Sequence, residues 1–236
     1  FHNLLVLSID ERYPKNSVKA MMSVWGTGQL SLTKCIISVP SFVNPRDIKK
    51  VFGYLGANFN PEKDLMLLQT TPLDTLDFTS GKINVGSKIG LNAVGDGKII
   101  SEDNFEEIHI LDPRKKYNKI KEFRVINKNI IVINSDFDPK LISKEVLESG
   151  ILDNFKIVFI VGTDIRINDN VDLLWGIFTR FDPTLDINFK NRSISNSCVQ
   201  FSGTMVVDAT QKDWYPKVLE MSPDIVDKVK QNWKKY

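Results

Sequence analysis

The densest grouping of reactive side chains is WGIFTRFDPTLDI (175–187), where Arg180, Asp182 and Asp186 fall close together. An arginine beside two acids is what acid–base chemistry uses. The stretch has a paler counterpart, FGYLGANFNPEKDL (52–65). In both, a helical pattern runs into an aromatic residue, an amide or acid, and a proline. Proline disfavours helical geometry in the residue before it, so Asn60-Pro61 and Asp182-Pro183 each end a helix. The amide or acid can bond the backbone of the following turn, and Phe59 and Phe181 would anchor the helix end in the core. The residues therefore read as a repeated helix-to-strand connector.

Other chemistries find little support. His2 and His109 lie far apart, in no spacing suited to a metal pair or a Ser–His–Asp triad. Gly26–Gly28 do not complete a dinucleotide fingerprint, and there is no Walker-type phosphate loop. Cys35 sits in the apolar run CIISV and reads as a core residue, and with Cys198 it cannot form a disulfide framework. Two cysteines fit a reduced, cytoplasmic setting. The 31 basic and 29 acidic residues give a net charge of +2, which offers no reason to expect nucleic acid as a partner. No apolar run reaches the roughly 18 residues that span a bilayer. The opening FHNLLVLSID reads as a strand under way, so we expect a piece of a longer polypeptide.

The elements that must position these residues alternate. Strands are expected at 3–9, 34–39 and 64–69, with helices at 17–25 and 44–56; Asn44 would cap the second helix, with Pro45 in its first turn. The pattern restarts with strands at 129–134, 156–162 and 185–189 and helices at 138–149 and 170–180. Residues 34–67 overlay 156–189 without a gap, matching Lys34 with Lys156, Val39 with Val161, Asp47 with Asp169, Phe59 with Phe181, Pro61 with Pro183 and Asp64 with Asp186. An internal duplication follows. The expected fold is α/β, two related βαβαβ modules with mainly parallel sheets (1–96 and 129–212). A polar linker (97–128), with EEIHIL (106–111) as a short strand, would join them. A tail (213–236) would end the chain in a helix capped by Ser222.

The runs YPKNSVKAMMSVW (13–25), QLSLTKCIISV (29–39), TPLDTLDF (71–78), GSKIGLNA (86–93), WGIFTRFDPTLDI and SPDIVDKVKQNW (222–233) together resemble the C-terminal domain of UbiD-like decarboxylases. The doubled module looks like the longer branch associated with menaquinone biosynthesis. This resemblance implies a non-oxidative aromatic-acid decarboxylase using prenylated FMN with a divalent metal and potassium. An upstream N-terminal domain, to which no segment here corresponds, would hold the cofactor and do the catalysis. The chain alone would then be inactive, bind no cofactor and take part in a homo-oligomer. By the same resemblance, Gln29, Ser31, Leu32, Thr33, Pro72 and Leu73 line the substrate pocket. A cofactor-phosphate lysine of some members has only Thr27, Gly28 and Gln29 near its position. The residues also admit a plainer account: Leu73 as core, Gln29 as a helix-end polar group and Lys88 as a solvated loop lysine, in a non-catalytic structural or oligomerisation module. The second copy has KNRSISNSCVQF where the first has TTPLDTLDF, and only the module's tail survives, as MVVDATQK (205–212).

Overall fold

The computed structural model describes residues 2–106, 108, 110, 112–217, 219 and 221–235, the side chain of residue 234 excepted. Its first half runs β1 (Leu4–Ile9), α1 (Asn16–Trp25), a 3-10 turn (Gly28–Leu32), β2 (Cys35–Pro40), α2 (Ile48–Asn58), the short α3 (Pro61–Asp64), β3 (Leu65–Pro72) and β4 (Val85–Asn92). The second half runs β5 (Glu122–Asn127), β6 (Ile130–Asn134), α4 (Pro139–Ser149), β7 (Ile157–Val161), α5 (Asn170–Phe178), β8 (Ile187–Ser195) and β9 (Cys198–Ala209), with α6 (Pro223–Asn232) near the end.

The strands form two sheets, ordered β1-β2-β4-β3 and β5-β6-β7-β9-β8. The two central strands that follow the duplicated lysines are buried along their whole length. That is why CIISVP and IVFIV read as unbroken apolar runs instead of alternating ones. The duplication holds in the pairing. Cys35 faces Ile89 in parallel and Leu65 faces Leu91 in antiparallel; in the second sheet Ile157 faces Met205 and Ile187 faces Val207 in the same senses.

The third strand of each copy was expected simply to extend a mainly parallel sheet. It lies instead at the edge, antiparallel to a fourth strand that has slipped in beside the second. The cause is the connection: no helix separates each third strand from the next, so the two fold back as antiparallel neighbours, through two residues in the second copy and a longer loop in the first. The polar segment read as linker ends in β5, which pairs antiparallel with β6 as an edge of the second sheet. The EEIHIL strand and His109 fall partly or wholly outside the described residues. Helix α2 starts a turn later than Asn44 and Pro45 suggested: Asp47 caps it by accepting from the Lys50 amide. Asp138 caps α4 as its sequence predicts, whereas Ser222 marks the start of α6 without a side-chain capping bond.

The inner faces share one core. Val51, Phe52 and Leu55 of α2, with Leu173, Ile177 and Phe178 of α5, join β2 residues to Ile130, Val132 and Phe159 of the second sheet. Phe52, Phe159, Phe178 and Phe181 meet edge to face in sequence, at 6.3, 6.5 and 6.1 Å. On the outer face of the first sheet, Met21 and Trp25 of α1 come close over Gly90, while α4 packs Ile142 and Val146 on the outer face of the second.

The two connectors are the same device. Asn60 accepts from the Glu62 amide and donates its own amide to Asp64; Asp182 accepts from the Thr184 amide and donates its own to Asp186. This reciprocal cap accounts for the spacing of amide or acid, proline and aspartate. Each connector also receives a lysine from the other copy. Lys34 Nζ lies 5.2 Å from the Phe181 ring centre, and Lys156 Nζ donates to the carbonyls of Ala57 and Phe59 at 2.9 and 3.4 Å. Residue i meets j and j meets i, as in the interface of a two-fold dimer.

Candidate functional site

The two copies differ most in the hairpin between their last two strands. In the second copy it closes through Asn196 and Ser197, both at positive φ (49° and 65°), as a tight two-residue turn requires. In the first copy Pro72 still faces Val85, and residues 73–84 form a long loop between them. That loop turns back over the starts of β1 and β2. The His2 ring pairs with the Asp74 carboxylate, and Asp77 reaches Lys34.

Lys34 and Asp77 are both buried, with Nζ 2.9 Å from Oδ2 but off the line of a well-directed hydrogen bond. Burial pulls the Lys34 pKa below its ordinary value, and the Asp77 carboxylate opposes that shift. The other oxygen of Asp77 accepts from the Thr79 amide and hydroxyl, which fixes the loop around it. Thus anchored, the loop turns Leu76, Phe78 and Ile83 outward, 79%, 42% and 78% exposed.

The residues expected to line a pocket differ in their exposure. Thr33 is buried, and its carbonyl takes hydrogen bonds from Trp25 Nε1 and Lys88 Nζ. Leu73 is buried against Gly86, where an added Cβ would sit 2.4 Å from Leu73 Cδ1. Leu32 and Ser31 are half-buried, Ser31 donating to the Gly28 carbonyl, while Gln29 and Pro72 are exposed. The plain account of Leu73 as core holds. That of Lys88 as a solvated loop residue does not: it lies within β4, buried, and burial lowers its pKa to about 8.

Copy two and the segment that follows it contribute to this region after all. Asp182 Oδ2 accepts from the Ser87 amide at 3.0 Å and Oδ1 from the Ser87 hydroxyl at 2.5 Å. Trp214 Nε1 donates to the Phe78 carbonyl at 3.1 Å. Behind them lies a cavity of about 350 Å3, whose lining includes Leu76, Phe78, Trp175, Arg180 and Tyr215. Arg180 is engaged bidentately by Asp164 at 3.0 and 2.7 Å and lies over Trp175. Asp186, buried beside Lys212 and Asp208, has its pKa raised to about 6 by burial. Cys35 is fully buried, with its thiol pushed up to about 12, so it is an inert core group.

Thr27, Gly28 and Gln29 offer no cation, and the nearby Lys34 and Lys88 turn inward to Asp77 and the Thr33 carbonyl. Among the described residues no group of three His, Cys, Asp or Glu side chains could hold a metal ion, and no helix is long and apolar enough to cross a membrane.

Residues 1–93 and 138–209 match the family described as 3-octaprenyl-4-hydroxybenzoate carboxy-lyase C-terminal domain. The chain belongs to this UbiD C-terminal family. The matched segments fall within the two copies, and the break between them contains the polar segment and β6. A 4-hydroxybenzoate decarboxylase protein of Chlamydia pneumoniae is 27% identical over 100% of this chain, which spans 39% of that relative's length. An uncharacterized protein of Archaeoglobus fulgidus is 40% identical over 93 residues, covering 39% of this chain and 19% of its own. Among solved structures, the vanillic acid decarboxylase of Sedimentibacter hydroxybenzoicus in closed form overlaps 47% of this chain and 23% of its own, at 23% identity and a TM-score of 0.39. A UbiD-class enzyme of Pelotomaculum thermopropionicum in complex with prFMN overlaps 48% of this chain and 26% of its own, at 19% identity and a TM-score of 0.36.

The sequence did not single out Lys34, Asp77, Ser87 or Trp214 as site residues. Lys34 carried a signal as one of the six positions shared by the copies. The contacts of Asp182 with Ser87 and of Trp214 with the loop cross between distant segments and leave no local pattern.

Proposed function

We propose that this chain is the C-terminal region of a non-oxidative aromatic-acid decarboxylase and supplies one wall of its substrate pocket. The doubled module favours the longer branch of the family, associated with menaquinone biosynthesis. The 73–84 loop, with the rim formed by Gln29, Ser31, Leu32, Thr33, Pro72 and Leu73, is the wall. Leu73 and Thr33 form its buried base, and Gln29, Pro72 and Leu76 its outer surface. Prenylated FMN and its metal ions would be held elsewhere in the longer polypeptide, and the assembled enzyme would be a homo-oligomer.

The loop itself carries this reading. It is present in one copy and replaced in the other by a two-residue turn, it is anchored by a buried ion pair, and it turns apolar side chains outward. A planar aromatic acid needs an apolar wall with few polar groups. The chain's own task in such a site is to bind, orient and exclude water.

The test is a decarboxylation assay on the intact polypeptide carrying Leu76→Asp or Gln29→Trp. Both positions are exposed, so folding should survive either change. Turnover should be lost or reshaped. Unchanged kinetics in both variants would favour the competing reading of a non-catalytic structural module.

A further inference from the structure

We propose that the second copy, having no loop of its own, is together with the segment that follows it the clamp that positions the 73–84 loop of the first. Phe181, Asp182 and Trp214 are the positioning residues. The proposal extends the reading of that loop as a pocket wall but rests on separate observations.

Three contacts from copy two and the segment after it reach the loop or its base. Asp182 takes both the amide and the hydroxyl of Ser87, and the Thr184 amide donates back to the same hydroxyl at 2.9 Å. Ser87 follows Gly86, against which Leu73 packs, so this junction fixes the first loop residue. The Phe181 ring lies against Lys34, whose ammonium holds Asp77 in the middle of the loop. Trp214 bonds the Phe78 carbonyl, and its indole lies 3.4 Å from the Cβ position of Gly81, which needs glycine for its φ of +70°. The loop is therefore gripped at its base, its centre and its far side.

The counterpart location is an internal control. Where Asp182 grips Ser87, the equivalent residues are Asn60 and Gly203, by the matched registers of Ile89 with Cys35 and Met205 with Ile157. Gly203 has no hydroxyl to donate. An open groove of about 330 Å3 remains there, lined by Asn60, Lys156 and Gly203 among others. The grip exists on the side that has a loop to hold.

Hydrogen–deuterium exchange on the intact polypeptide tests this. Asp182→Ala should raise exchange across 73–84 about tenfold, as expected when a local closing contact is lost. Trp214→Phe, at a half-exposed position that keeps its ring and so endangers folding little, should raise it less and nearer Phe78. Asp182→Asn installs the copy-one residue and should fall between wild type and alanine. Asn60→Ala and Lys156→Met, the counterpart changes, should leave the loop's exchange as it was. Unchanged protection of 73–84 in both Asp182→Ala and Trp214→Phe would overturn the clamp. A rise spread evenly over the chain would also overturn it, by making these contacts part of general stability. Raised loop exchange with unaltered turnover would leave the clamp standing and sink the pocket-wall reading.

Discussion

Lys34 and Lys156 begin the same strand in the two copies and reach toward the same turn of the opposite copy, yet they stand in different surroundings. Lys34 is sealed in by the 73–84 loop and faces Asp77; Lys156 is half-buried, beside an open groove, and donates to two carbonyls. One backbone plan thus serves a charged, closed junction on one side and a neutral, open one on the other. The difference comes from a single hairpin, twelve residues against two. A duplicated scaffold can keep its packing while its rims diverge, because packing depends on the shared strands and connectors and the rims on what is hung from them.

The sharpest way to break this comparison is to remove each lysine in turn. Lys34→Met strands the Asp77 carboxylate in the interior and should cost about 3–5 kcal/mol. Lys156→Met forfeits hydrogen bonds to carbonyls and should cost about 1 kcal/mol. Urea unfolding of the two variants reads the difference; equal costs would show that the loop does not set the junctions apart.

Next comes pH. The Asp186 pKa of about 6 lies above its unfolded value of about 3.9. Between those values the native state keeps a proton that the unfolded chain has lost. The contribution is therefore fully present below about pH 4 and lost as pH rises through 6. In Asp186→Asn, which can still accept from the Asp182 amide, this slope should vanish. The difference from wild type should change by roughly 2 kcal/mol between pH 4 and 7, read from unfolding free energies across that range.

The smallest effect belongs to the short hairpin. Ser197 holds a φ of 65° that glycine adopts freely, so Ser197→Gly should stabilise the protein by about 1 kcal/mol. Thermal unfolding would show it as a rise in Tm. A fall would mean that the turn contributes more than closure to the second copy.

Much of the scaffold was legible in the sequence because buried parallel strands must be apolar throughout. CIISV and KIVFIVG announced the sheet centres, and the repeated proline connector announced the duplication. The antiparallel placing of DLMLLQ and LDINF was not legible, since an apolar run does not record the direction of its neighbour. The strand Glu122–Asn127 was hidden because an edge strand exposed on one side carries charges such as Glu122 and Arg124. In the candidate site, Thr33 and Leu73 are buried, Thr33 before β2 and Leu73 against Gly86. Lys34, however, opened an expected strand with nothing nearby in sequence to mark its partner, Asp77, which lies far along the chain. Asp182 looked confined to a copy without pocket loops because its partner, Ser87, lies 95 positions earlier.

The reciprocal meeting of lysines and turns has one more consequence. When two identical chains meet across a two-fold axis, every substitution at the contact is made twice, and an improvement on one side is forced onto the other. Here both sides are encoded in one chain at separate positions. Asp182 faces Ser87 on one side while Asn60 stands near Gly203 on the other, and neither choice constrains its counterpart. Joining the halves covalently frees the interface from its own symmetry, so that one edge can specialise while the other remains plain.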